Sequence, residues 1–310
     1  MHEPAANVGL AVSEAGPPPS VFRIWWTAAR PKTLWAAVAP VLVGVAMAAA
    51  DGALHVPAAF CALLGAILIQ VGTNLYNDYA DFEKGADTSE RKGPLRVTQA
   101  GWVTLRTMRR ATVIVFGLAV LAGAYLIWRG GWPVLLIGVS SILFGVLYTA
   151  GRYALAYLGL ADLFVLIFFG PVAVAGTYYV QALALRPEVV VAGLAPGLLS
   201  VAILLVNNIR DVEEDRKAGK RTLPVRFGRS FGVGLYAVCV GVAPLVPVGL
   251  YLWMGGHPWA PVTVALEALA LPMAVRLHRT REPAALNALL GETARLLLLY
   301  SLVFSVGWLL

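Results

Sequence analysis

Nine apolar runs of about 17–25 residues follow one another along the chain, each long enough to cross a ~30 Å hydrocarbon layer as a helix. Their cores lie near 34–50, 57–76, 111–128, 132–149, 156–180, 189–207, 231–254, 259–277 and 293–310. In lipid, every backbone N–H and C=O must be bonded internally, so runs of this length leave an all-α bundle. Only 13% of the residues are charged, against roughly 25% in soluble domains. The chain therefore reads as an all-α polytopic membrane protein with nine transmembrane helices. Arg129-Gly130-Gly131 is a tight turn between the third and fourth runs. Pro40, Pro171, Pro196, Pro244, Pro247 and Pro272 fall inside runs, where neighbouring helices can satisfy the carbonyls that a kink frees. Residues 1–22, with Gly16-Pro17-Pro18-Pro19-Ser20, read as a disordered tail. They have neither the basic nor the apolar region of a signal peptide. Residues 23–310 read as one transmembrane domain.

Of the 24 Lys and Arg residues, 22 fall on one side of the alternating runs; Arg129 and Arg186 alone fall on the other. This asymmetry predicts a cytoplasmic N-terminus and, with nine spans, a C-terminus outside the cell or inner membrane. The net charge of +7 is explained by these short loops and gives no reason to expect nucleic acid. Cys61 and Cys239 lie alone in apolar runs and the four His are scattered, so neither a disulfide nor a zinc site is expected.

Two acidic clusters interrupt this apolar background, both on the cytoplasmic side: Asn74 to Asp87 after the second run, and Asn207 to Lys217 after the sixth. With Glu90 they hold nine of the 17 acids. A solvated loop explains one mixed charge run but not two Asn-plus-Asp clusters at helix ends on one side. Asn74-x-x-x-Asp78 and Asn207-x-x-x-Asp211 are 133 positions apart, a short internal repeat that would set two carboxylate clusters face to face. Asp211 and Asp215 share one helix face, as do Asn74, Asp78 and Asp81, and Asn77 with Asp81. Hard cations prefer carboxylate, amide and phosphate oxygens, so each face suits one Mg²⁺ bridging to a diphosphate. Basic residues nearby would stabilise the charge of a leaving diphosphate. Arg30, Lys32, Arg96 and Lys220 lie in these loops or flanks; Tyr148 and Arg152, one turn apart, can bind phosphate or anchor at the interface. Asp162 is a carboxylate inside the fifth run and a candidate by its position alone. Phe144, Phe168, Phe169 and Tyr76, Tyr79, Tyr178 and Tyr179 serve packing or the stabilisation of a cation.

These motifs resemble those of the UbiA-type intramembrane aromatic prenyltransferases. The likeness rests on Arg30-Pro31-Lys32-Thr33-Leu34, Asn77-Asp78-Tyr79-x-Asp81-x-x-x-Gly85-x-Asp87, Gly93-Pro94-Leu95-Arg96-Val97-Thr98-Gln99, Phe168-Phe169-Gly170 with Gly176-Thr177-Tyr178-Tyr179, and Asn207 through Leu223. The Gly85-x-Asp87 ending and the long second motif are similar to the branch that acts on 1,4-dihydroxy-2-naphthoate. Gly85 stands where the family's first motif usually has its third Asp, and Asp87 is two positions later. The resemblance implies nine helices around a lipid-open cavity, capped by two motif loops. It implies that Asp78, Asp81, Asp211 and Asp215 are catalytic, and that Asn77, Asp81, Asp87, Asp211 and Asp215 hold Mg²⁺. It implies a substrate set of Arg30, Lys32, Asn74, Asn77, Arg96, Tyr148, Arg152, Asp162, Asn207 and Lys220. The expected partners are a polyprenyl diphosphate, an aromatic acid such as 1,4-dihydroxy-2-naphthoate, and membrane lipid. Other acceptors (4-hydroxybenzoate, homogentisate, a tetrapyrrole) keep the same fold. A transporter would instead place its ionisable groups near mid-bilayer, and nearly all acids here sit at one edge.

Overall fold

A computed structural model describes residues 19–83, 93, 95–149 and 154–310. Among them the secondary structure is entirely helical. Helix α1 (Val21–Ala29) is short; its N-cap Ser20 accepts from the Arg23 amide at 3.3 Å, and it takes in Val21 and Phe22, the last two residues of the expected tail. Arg30 adopts a left-handed conformation (φ 51°, ψ 69°), which stops α1 and turns the chain into α2 (Pro31–Ala50). Then follow α3 (Val56–Glu83), α4 (Leu105–Gly130), α5 (Trp132–Leu147), α6 (Ala161–Ala182), α7 (Pro187–Arg210), the short α8 (Val212–Lys217), α9 (Arg229–Met254), α10 (Ala260–Arg279) and α11 (Pro283–Leu309). Eight of these are long and apolar enough to span a membrane, where nine were expected; α5 has the apolar character but only 16 residues. The chain is a multi-pass membrane protein.

The prolines act where the sequence places them. Pro171 sits in a π-helical turn, Phe168–Val172, with Gly170 outside helical geometry (φ −118°, ψ −111°). Pro244 marks a 3₁₀ break in α9, and Pro40 and Pro272 lie inside helices. Helix α7 is central and most of its residues are buried; its Leu199 and Leu205 pack with Tyr236 of α9 and Leu297 and Phe304 of α11. At the α6–α7 crossing the backbones touch. A Cβ on Gly197 would lie 2.6 Å from the Leu166 carbonyl oxygen, and one on Gly193 2.6 Å from Pro171 Cα. Lipid tails are as apolar as leucine, so such close approach, rather than hydrophobic expulsion, holds membrane helices together.

Helices α2, α3, α4, α5 and α6 enclose a cavity of about 330 Å³. Its outer wall is thin: in α5 only Val134 is fully buried, while Leu135 and Val139 both line the cavity and face outward. The far end is closed by Leu126, Val134 and Val180, and there Arg129 of α4 donates to the Val180 (2.6 Å) and Gln181 (3.0 Å) carbonyls. The near end carries Gln70, Thr73 and Tyr148.

Candidate active site

Both motifs end long apolar helices, and the structure buries their polar groups. Asn74, Asn77, Asp78 and Asp81 on the last turns of α3 are all 9% exposed or less. Buried polar groups need partners, and most of these have them. Asn74 Nδ2 donates to the Ala29 carbonyl (2.9 Å) and to Thr33 Oγ1 (3.0 Å), tying α3 to the α1–α2 junction. Asn77 Oδ1 accepts from Thr149 Oγ1 at 2.6 Å. Asp78 accepts from the backbone amides of Val97 (3.2 Å) and Thr98 (3.4 Å), so it holds the following loop in place. Arg96 is buried in that loop. Its Nη2 meets Asp81 Oδ2 at 2.5 Å and its Nη1 donates to the Asn77 carbonyl at 2.6 Å. Asp81 Oδ1 is buried with no hydrogen-bond partner.

The second motif is built around Arg210. Its guanidinium grips Asp211 through two bonds of 2.6 Å, donates to Asn207 Oδ1 at 2.6 Å, and reaches Asn287 Oδ1 on α11. Asp211 is the C-cap of α7, and Asp215 lies one turn on in α8. Lys220 Nζ is 3.4 Å from Asp215 Oδ1. Burial pushes the Asp215 carboxyl up to about 6, against the pull of Lys220 and with the push of Asp211 and Asp81. The two motifs therefore face each other. Asp81 feels Arg96, Lys220 and Arg30, and Asp215 feels Asp81.

Tyr148, half-buried at the end of α5, joins this cluster to the cavity. Burial, together with the charges of Asp162, Asp215 and Asp81, raises its phenol well above the ordinary value, so it stays a proton donor. Beside it, Phe144, Phe164 and Phe168 form an aromatic group with centroids 4.5–6.2 Å apart. The π-turn lets Phe164, Phe168 and Phe169 all line the cavity.

Some expected residues stand elsewhere. Lys32 is exposed, its stem near Gly291 of α11. Tyr178 hydrogen-bonds Asp51 at the opposite end, and Tyr179 bonds the Gly130 carbonyl. Arg152 and Asp87 lie outside the described residues. Residues that the sequence reading passed over are Arg210 as organiser, its partner Asn287, Phe164 and Thr149. Arg210 was visible as a cation inside an acidic motif; the others carry no signal without the fold.

Among the described residues no three His, Cys, Asp or Glu side chains gather into a metal-holding group. Mg²⁺ does not require one: it is usually held by one or two carboxylates plus phosphate oxygens and water. The unpartnered Asp81 Oδ1, on a carboxylate whose charge is felt by Asp215 of the second motif, fits that demand.

The profile of the UbiA prenyltransferase family matches residues 37–302. The chain is 36% identical over 290 residues to the 1,4-dihydroxy-2-naphthoate octaprenyltransferase of Escherichia coli, covering 91% of this chain and 94% of that protein. It is 34% identical over 302 residues to the Haemophilus influenzae protein of the same name, covering 93% and 96%. A UbiA homolog from Archaeoglobus fulgidus bound to GPP and Mg²⁺ has the same fold, with a TM-score of 0.64 at 15% identity over 91% of this chain and 99% of that one. Profile, full-length relatives and shared helical architecture agree: this chain belongs to the UbiA prenyltransferase family.

Proposed function

We propose that the protein transfers a polyprenyl group from polyprenyl diphosphate to 1,4-dihydroxy-2-naphthoate, releasing diphosphate and CO₂ and giving a demethylmenaquinol. The observation that carries this reading is the meeting of two Asn/Asp motifs at the polar end of an otherwise apolar cavity. Relatives named for this reaction, similar over nearly the whole chain, support the choice of acceptor.

Asp81 from one motif and Asp211 and Asp215 from the other would hold Mg²⁺, with Asn77 and Asp87 completing the set expected from the sequence. Mg²⁺ supplies charge neutralisation that makes diphosphate a better leaving group. Arg96, Arg30 and Lys220 place positive charge near Asp81, where it would stabilise the leaving diphosphate. The apolar cavity accepts the isoprenoid tail and keeps water from quenching the allylic cation. Phe144, Phe164 and Phe168 offer ring faces beside its path. Asn74 and Asp78 act by position, fixing α1–α2 and the loop at 95–99 around Asp81.

The test follows carboxyl-labelled dihydroxynaphthoate beside 4-hydroxybenzoate and homogentisate at matched concentrations. One labelled CO₂ is expected per quinol formed. Product that keeps the label, or a clear preference for hydroxybenzoate, refutes the acceptor.

The same reading puts the motif loops in the cytoplasm, the side that holds 22 of the 24 basic residues. A cysteine at Ala218, in the loop after α8, is expected to react with an impermeant thiol reagent in inverted vesicles and not in intact cells. Labelling from outside would reverse the topology.

A further inference from the structure

Five aspartates are buried among the described residues, and four are engaged: Asp78 by backbone amides, Asp81 by Arg96, Asp211 by Arg210 and Asp215 by Lys220. Asp162 is the exception. It is 7% exposed, and neither carboxylate oxygen has a hydrogen-bond partner on another residue. It stands on the first turn of α6, beside Ala161 and one turn from Val165, both of which line the cavity. The titratable groups that feel it are Tyr148, after α5, and Cys239 of α9. Tyr148 in turn feels Asp215 and Asp81, so the same phenol senses Asp162 and both motifs. A buried charge without a partner is costly, and intramembrane carboxylates are kept for function.

We propose that Asp162 is the catalytic base toward the aromatic acceptor, an inference that rests on the naphthoate reading above. Its carboxylate takes the proton of the hydroxyl adjacent to the carboxyl-bearing ring carbon. The released electron pair makes that oxygen a ketone while the ring carbon bonds to the allylic carbon, whose C–O pair has left with diphosphate. The product of this step is a β-keto acid. Its C–CO₂ bond breaks, CO₂ departs, and the electrons restore the aromatic ring. Asp162 then returns the proton to the same oxygen, so no net proton is used. Asp81, Asp211 and Asp215 already face cations, Asp78 is held by backbone amides, and Tyr148 keeps its proton, so among the described residues Asp162 is the buried aspartate left unengaged, next to the cavity-lining Ala161.

Asp162→Asn is expected to lower kcat by ~10² or more, the usual worth of a general base, with little change in KM for the polyprenyl diphosphate. The deficit should shrink as pH rises and the acceptor hydroxyl ionises in water. It should also shrink for acceptors whose hydroxyl is more acidic, and Asp162→Glu should recover part of the rate. A deficit that is constant across pH and acceptors overturns the proposal, as does normal turnover in Asp162→Asn. The wild-type protein gives a test independent of variant folding. Methylating the hydroxyl next to the carboxyl should abolish transfer, and methylating the distant one should not; normal transfer to the former overturns the proposal. Failure of wild type on unmodified dihydroxynaphthoate would instead sink the naphthoate reading itself.

Discussion

Asp81→Asn and Asp211→Asn are each expected to cost at least ~10²-fold in prenyl transfer at saturating Mg²⁺, or about 2.7 kcal/mol of barrier. The amide keeps the size of the carboxylate and removes the charge that a hard cation seeks. Folding should survive both changes. In Asp81→Asn the amide oxygen still accepts from Arg96, which also keeps the Asn77 carbonyl. In Asp211→Asn, Arg210 keeps Asn207 and Asn287. Membrane yield and detergent elution should therefore match wild type while turnover falls. Near-normal turnover in either variant would remove the two-motif mechanism.

Arg210→Met should instead show its main effect in stability. This guanidinium is 5% exposed and serves Asp211, Asn207 and Asn287 together. Its loss leaves Asp211 a buried charge without its partner, a change that typically costs about 3–5 kcal/mol. Arg210→Lys should restore only part of this, because an ammonium cannot make the paired bonds to one carboxylate. Arg276→Met is the control: its pair with Glu292 is half exposed, and such pairs are worth about 1 kcal/mol or less. Thermal unfolding in detergent should rank the variants Arg276→Met, Arg210→Lys, Arg210→Met in increasing damage. Equal shifts for Arg210→Met and Arg276→Met would show that the Arg210 cluster does not hold α7 to α11.

Much of this architecture is legible in the sequence because a bilayer imposes one length on every crossing. The apolar runs gave the positions of the helices, and the two Asn/Asp motifs stood out against them at the ends of α3 and α7. The apparent repeat proved shallower in contact than in spelling: Asn74 ties down the α1–α2 junction, whereas Asn207 accepts from Arg210. Pairings across loops were hidden. That Arg96 folds back onto Asp81, or that Asp78 caps the amides of Val97 and Thr98, depends on loop conformation, which hydropathy does not encode. The engagement of Asn287 depends on how α11 lies beside α7, and the cavity-facing Phe164 on the π-turn below it. The fourth run was read two residues too long, since the apolar pattern runs on through Tyr148 and Thr149 after the helix has ended.

That short helix has a consequence for the surrounding lipid. Sixteen residues of α-helix rise about 24 Å, roughly 6 Å less than an average hydrocarbon core. The bilayer must thin against α5 or the helix must be drawn inward, at a cost of fractions of a kcal/mol for each ångström of mismatch. The deformation falls on the wall that separates the cavity from the acyl chains. Lipid packing is thus loosened at the place where a long isoprenoid, already dissolved in the membrane, has to slip sideways out of one greasy phase and into another.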